Sequence, residues 1–215
     1  MNLVSRKLGQ AGGANTQAFL LDIQSFITAN KDQEELKQGL QHLQAAHEAV
    51  AASVAQFIGW FKGGKVEHIP LAAEQFLTIM SELAVGWLLL EQASIALGKL
   101  PKTSETHPDH AFYTGKKFAA QFFANNVLTT LPSRVQRLSQ IDTLPVEMPA
   151  EAFATITGAT VELYNTDGSQ GAARGAGIGA GIYKGAEDAF VGLKPVKAIE
   201  PNKKLASAYR DAYAG

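Results

Sequence analysis

The stretch from Leu36 to Phe61 constrains this chain more than any other. Leu36, Leu40, Leu43, Ala46, Val50, Val54, Phe57, Ile58 and Phe61 recur largely at spacings of three and four. That period lays them along one side of a helix, so the stretch reads as one long helix with a single apolar stripe. Asp32 followed by Glu35 resembles a capping box at its start, and Gly63-Gly64 supplies its stop.

The text on either side is also helical. Asn15 or Thr16 can cap an earlier helix carrying Phe19, Leu20, Ile23, Phe26 and Ile27. Pro70 suits the first turn of a third helix, expected to run to about Gly98. It is apolar on most sides through Val85–Leu90, which predicts a central position. A fourth helix is expected from Pro108–Asp109, with Phe112, Phe118, Phe122, Phe123 and Leu128 as its apolar residues. Pro132 should interrupt or kink it, and "SRVQRLSQI" continues it. Long helices joined by short loops predict a mainly α fold, an up-down helical bundle over residues 1–144.

Composition sets the outer limits. The chain has 215 residues, 46% of them apolar, with a net charge of −1 and no cysteine. That suffices for a buried core and excludes disulfide and thiolate chemistry. The charge gives no ground for nucleic-acid binding. The first residues lack the apolar stretch of a secretory signal. "LAVGWLLL" stops at Glu91, too short for a bilayer. The expectation is a cytoplasmic protein with no membrane partner.

After residues 145–150, read as a linker, the pattern changes. "ATVELYN" (159–165) predicts a strand, "LKPVKAIEPNKK" a tether and "KLASAYRDAYAG" a terminal helix. Between them, "GSQGAARGAGIGAGIYKG" carries seven of the chain's 20 glycines. It is not a phosphate loop of the GxxxxGK type with a following hydroxyl. Gly175, Gly177 and Ala180 match the alanine form of the dinucleotide fingerprint, but "GSQGAAR" separates them from the strand that motif requires. Gly171, Gly175 and Gly179 fall four apart, as do Ala173, Gly177 and Gly181, which predicts a helix with thin faces. Interior glycines each cost about 1 kcal/mol against alanine, so close packing is expected to offset them. The segment 151–215 is thus a small α/β fragment of one strand, a glycine-rich helix and a terminal helix. One strand without a partner predicts poor packing or a borrowed edge.

Two resemblances attach to these segments. "NLVSRKL", "GWLLLEQAS" and "FYTGKKFAAQFFANNVL" are similar, in order, to the extra helical C-terminal domain of large acyl-CoA dehydrogenases, over about 2–144. "EAFATITGATVELYNTDGSQGAARGAGIGAGIY", with the final "AIEPNKKLASAYRDAYAG", resembles the end of an FGGY-family sugar kinase of the xylulokinase kind, over 151–215. Together they imply two joined domain ends, through fusion, truncation or an assembly join. The resemblances imply flavin-dependent acyl-CoA oxidation and ATP-dependent sugar phosphorylation in the complete parents. They bring neither the glutamate base and flavin domain of the first, nor the aspartate base, phosphate hairpins and adenosine motif of the second. No catalytic residue carries over, no FAD or ATP site is expected on this chain alone, and it is not expected to be active by itself. By the kinase resemblance, Thr166, Asp167, Gly168, Gln170 and Gly171 are nucleotide-proximal candidates, with a plain helix cap as the competing reading. By the dehydrogenase resemblance, the apolar face around Trp87 is an interface for self-association or for a missing enzyme domain. The main reading is a helical packing domain, and the alternative is a kinase remnant with nucleotide contact.

Two histidines, His107 and His110, stand at a spacing metals use, but no third ligand is evident, so no metal site is expected. His42, His47 and His68 read as solvated or capping residues.

Overall fold

In a computed structural model of the chain, residues 3–166 and 168–205 are described, together with 208 and 212. The terminal helix expected over "KLASAYRDAYAG" lies largely outside them. The chain divides into two compact units, Met1–Thr143 and Leu144–Gly215.

The first unit is built on α1 (Ala14–Asn30), α2 (Lys37–Lys62), α3 (His68–Lys99), α4 (Pro108–Asn126) and α5 (Leu131–Ser139). Side-chain bonds fix their directions. Glu35 meets Lys117 and Gln56 bonds the Ser139 carbonyl, so α2 and the α4–α5 pair run the same way. Lys116 bonds Gln92 and Arg134 pairs with Glu82, so α4–α5 runs against α3. The corner between α1 and α2 is tied to α3 by Gln33 and Ser94, which both bond the Asn30 carbonyl oxygen of the side chain at 3.1 and 2.6 Å.

The core stripe of α2 holds Leu40, Leu43, Ala46, Val50 and Phe57, with Leu36 just ahead of it. It then departs from the expected row. Ile58 and Phe61 are exposed, and Ser53 and Trp60 take the inward positions. Ser53 is accommodated because its hydroxyl donates to the Ala49 carbonyl. Trp60 packs edge-on against both Phe57 and His68. The helix stops as expected, with Gly64 at φ +72° and Lys65 N–H returning to the Trp60 carbonyl.

The expected caps differ. Gly13, not Asn15 or Thr16, precedes α1, and Thr16 donates instead to the Leu8 carbonyl. Asp32 and Glu35 form no capping box. A 3-10 turn, Glu34–Leu36, leads into α2, and Glu35 is drawn to Lys117 at 2.7 Å. Pro132 does not kink a continuous helix: α4 has already ended at Asn126, and Pro132 sits in the first turn of α5, where its missing N–H costs nothing.

The side of α4 that enters the core carries Ala120 and Ala124, followed by the buried Leu128. Phe112, Phe118 and Phe122 point outward, Phe122 with 69% of its surface exposed. Small residues let α4 lie close to its neighbours, and the large aromatics fall on the opposite side of the same period. α3 runs past the apolar stretch that ends at Glu91, close to the expected end at Gly98. It continues to Lys99, and with the turn that follows it (His68–Lys102) it is long and apolar enough by composition to cross a membrane. In this bundle its inward residues Phe76, Ile79, Leu83 and Leu90 form the core.

The second unit starts with a single helical turn, α6 (Leu144–Glu147), within the segment read as a linker, and α7 (Ala150–Thr157). The strand β1 (Val161–Tyr164) is not alone. The presumed tether contains β2 (Pro195–Ile199), which pairs with it antiparallel, Val161 opposite Ile199 and Leu163 opposite Lys197. The chain itself therefore supplies the partner edge. α8 (Gly168–Gly179) and α9 (Ala186–Ala189) lie between the strands. Lys197 pairs with Glu151 at 3.0 Å, fastening β2 to α7.

Candidate functional site

The kinase-like candidates sit at one turn. β1 ends at Tyr164, and α8 opens at Gly168. Thr166 donates its hydroxyl to Gln170 Oε1 at 3.2 Å, closing the helix start within itself. Asp167 lies outside the described residues. A β-carbon on Gly168 or Gly171 would meet no atom within 4 Å, so these backbones are open. The glycine-rich stretch is a helix as the spacing predicts, but the expected close packing is largely absent. Gly175 and Gly179 are also open, and only Gly177 is pressed, by the Tyr183 ring at 2.6 Å from where a β-carbon would stand. The chain folds back there because Ile182 N–H donates to the Gly177 carbonyl. Arg174 reaches across to the Ala189 carbonyl and stands over the Phe190 ring, fixing α9 on α8.

His107 and His110 make local hydrogen bonds at the start of α4. His107 Nδ1 accepts the Asp109 N–H at 3.1 Å and so caps α4, while His110 Nδ1 donates to the Thr103 carbonyl. Among the described residues no group of three metal-ligating side chains occurs. His47 bonds the Leu20 carbonyl and His68 packs on Trp60, so neither is merely solvated. An open groove of about 440 Å³ between α1 and α2 is lined by Ile27, Leu40, Gln41 and Gln44 with Lys31 at its rim. Lys37 and Glu48 also line it.

Two carboxyl and phenol groups are shifted. Lys197, bonded to Glu151, holds that carboxyl below its ordinary value, with help from a backbone N–H and the lysine's charge. The Tyr164 hydroxyl donates to Glu162 at 2.6 Å, which raises its pKa. Both are exposed pairs that set local structure.

The feature of the first unit that remains chemically unspent is the back of α3. Leu77, Val85, Leu88 and Ile95 are 49%, 44%, 45% and 60% exposed. They occupy the side opposite the core residues, so α3 is apolar on two faces. Trp87, expected at the centre of such an interface, is instead half-buried against Phe19, with its indole N–H buried and unpaired. The period of α3 puts Trp87 between its two faces, and the exposed row is one step further round. The sequence showed an all-round apolar helix; only the packing of its neighbours decides which side stays open.

The family match falls almost wholly on the first unit. The family described as Acetyl-CoA dehydrogenase C-terminal like matches residues 19–149. A butyryl-CoA dehydrogenase of Syntrophomonas wolfei is 27% identical over 152 residues, covering 69% of this chain and 24% of that protein. The broad-specificity linear acyl-CoA dehydrogenase FadE5 of Mycobacterium tuberculosis is 29% identical over 136 residues, 61% of this chain and 22% of that protein. The chain spans about a quarter of the length of these curated relatives.

Proposed function

Because this chain belongs to the Acetyl-CoA dehydrogenase C-terminal-like family, we propose that it is a non-catalytic helical packing domain of an acyl-CoA dehydrogenase assembly, with a cytoplasmic location. The outward row Leu77, Val85, Leu88 and Ile95 carries this reading. An exposed apolar row of that length favours contact with another protein surface, either a second copy or the flavin-bearing body of the enzyme. Acyl-CoA oxidation would belong to that body.

The test is light scattering after size exclusion on the chain and on a Leu88→Gln/Ile95→Gln variant, with capture of an acyl-CoA dehydrogenase flavoprotein lacking its own helical domain. The chain should self-associate or capture the flavoprotein, and the variant should do neither at an unchanged melting temperature. A variant indistinguishable from the parent in both assays overturns the reading.

A second reading concerns 151–215, which lies beyond the family match. The order strand, polar turn, glycine-rich helix supports a sugar-kinase-derived tail with nucleotide contact near Thr166, Gly168, Gln170 and Gly171. A rise in melting temperature with ATP, lost in Gly171→Val, tests it, because a ligand bound only by the native state stabilises it. No shift at saturating ATP removes it.

A further inference from the structure

The exposed row of α3 reads the same chemistry in both directions. Leu77, Val85, Leu88 and Ile95 are its apolar members, Ser81 and Gln92 its polar ones, and Glu74 and Lys99 its ends, all exposed and three or four residues apart. Such 3-4 spacing is the seam that a second helix packs into. From Leu77 to Ile95 it spans about 27 Å at 1.5 Å per residue.

Laid antiparallel on a copy of itself about a two-fold axis near Gly86 and Trp87, the row complements itself. Val85 faces the copy's Leu88, Leu77 faces its Ile95, and Ser81 faces its Gln92. Glu74 at one end meets Lys99 at the other, opposite charges at both rims. In a parallel pairing the same row sets like charge on like.

The polar pair is also oriented. The Ser81 hydroxyl donates its proton to the Leu77 carbonyl at 2.8 Å, so its oxygen can only accept. Gln92 Oε1 is taken by Lys116 at 2.7 Å, which leaves its NH₂ to donate. Each face therefore presents a donor where the other presents an acceptor, twice per pair. An isologous interface requires this reciprocity, since each contact is made twice.

Resting on the packing-domain reading above, we propose that the partner of this row is a second copy of the chain, paired antiparallel through α3. The chain has no cysteine, so introduced ones report alone. Ser81→Cys and Gln92→Cys proteins, mixed and oxidised, should give a disulfide-linked dimer. Neither should link to itself, because the two copies of residue 81 stand about 16 Å apart along the axis. Glu74→Lys should weaken the dimer several-fold by light scattering over a dilution series, and Glu74→Lys/Lys99→Glu should restore it, with circular dichroism confirming the fold of each.

Self-linking of either single variant, or a dimer indifferent to the charge changes, overturns the antiparallel pairing. The packing-domain reading survives that outcome if Leu88→Gln/Ile95→Gln still dissolves the dimer. A chain that is monomeric at every concentration overturns the pairing outright. If that monomer also captures no flavoprotein, the packing-domain reading falls with it.

Discussion

Leu128 occupies the space that Gly86 leaves empty. A β-carbon on Gly86 would lie 2.6 Å from Leu128 Cδ2 and 2.9 Å from Cγ, and both residues are buried. Because the clash reaches the branch carbon, rotation of the leucine tip does not relieve it. Gly86→Ala should therefore cost about 1–3 kcal/mol, as overpacked cores do, despite alanine's better helix propensity. Leu128→Ala alone should cost about 2–5 kcal/mol. The double variant should be more stable than the sum of the two predicts, and urea unfolding of all four proteins completes the cycle. Strict additivity would mean that the two do not share this space.

His107 caps α4 through its ring nitrogen, which accepts the Asp109 N–H. His107→Ala should destabilise the first unit by about 0.5–2 kcal/mol, and His107→Asn should recover most of it, since a side-chain acceptor is what the Asp109 N–H needs. Added zinc should leave the melting temperature of the parent unchanged. A zinc-dependent rise lost in His107→Asn would show that His107 serves a metal.

How far the sequence reaches is clearest on α4. The spacing locates the helix and its proline-marked start, yet Phe118 and Phe122, apolar residues of that helix, face water. Periodicity defines two opposite faces; which one is buried depends on the distance to the neighbouring helices, and here Ala120 and Ala124 permit the closer approach. β2 escaped for a different reason. "PVKAI" contains a proline and a lysine and lies in a polar setting, so its strand character comes from pairing with β1, not from its own residues. The α3 row was legible as apolarity but not as exposure. The turn before α8 was legible as a helix start, and the openness of its glycines was not.

The Glu151–Lys197 pair gives a pH dependence with a definite sign. Its folded carboxyl pKa is depressed, so the stabilising contribution is present above the unfolded carboxylate pKa and is lost as pH falls through the folded one. The effect is small because both groups face solvent. Carbon-13 NMR titration of the Glu151 carboxyl should give a midpoint below the ordinary glutamate value, returning toward it in Lys197→Gln. Equal midpoints in the two proteins would mean that β2 is not fastened to α7 through this pair.

The glycines of α8 make opposite predictions within one helix. Gly171 and Gly175 have open space where a side chain would go, whereas Gly177 is pressed by Tyr183. Gly171→Ala and Gly175→Ala should each stabilise the helix by up to about 1 kcal/mol, the ordinary propensity difference. Gly177→Ala should loosen it, because the Tyr183 ring must move and with it the backbone turn anchored on the Gly177 carbonyl. Amide hydrogen exchange over residues 168–179 separates the three: slower in the first two, faster in the third. If Gly171→Ala and Gly175→Ala both speed exchange instead, their bare faces are packed against a surface in solution, and the thin helix is serving the close approach that its sequence first suggested.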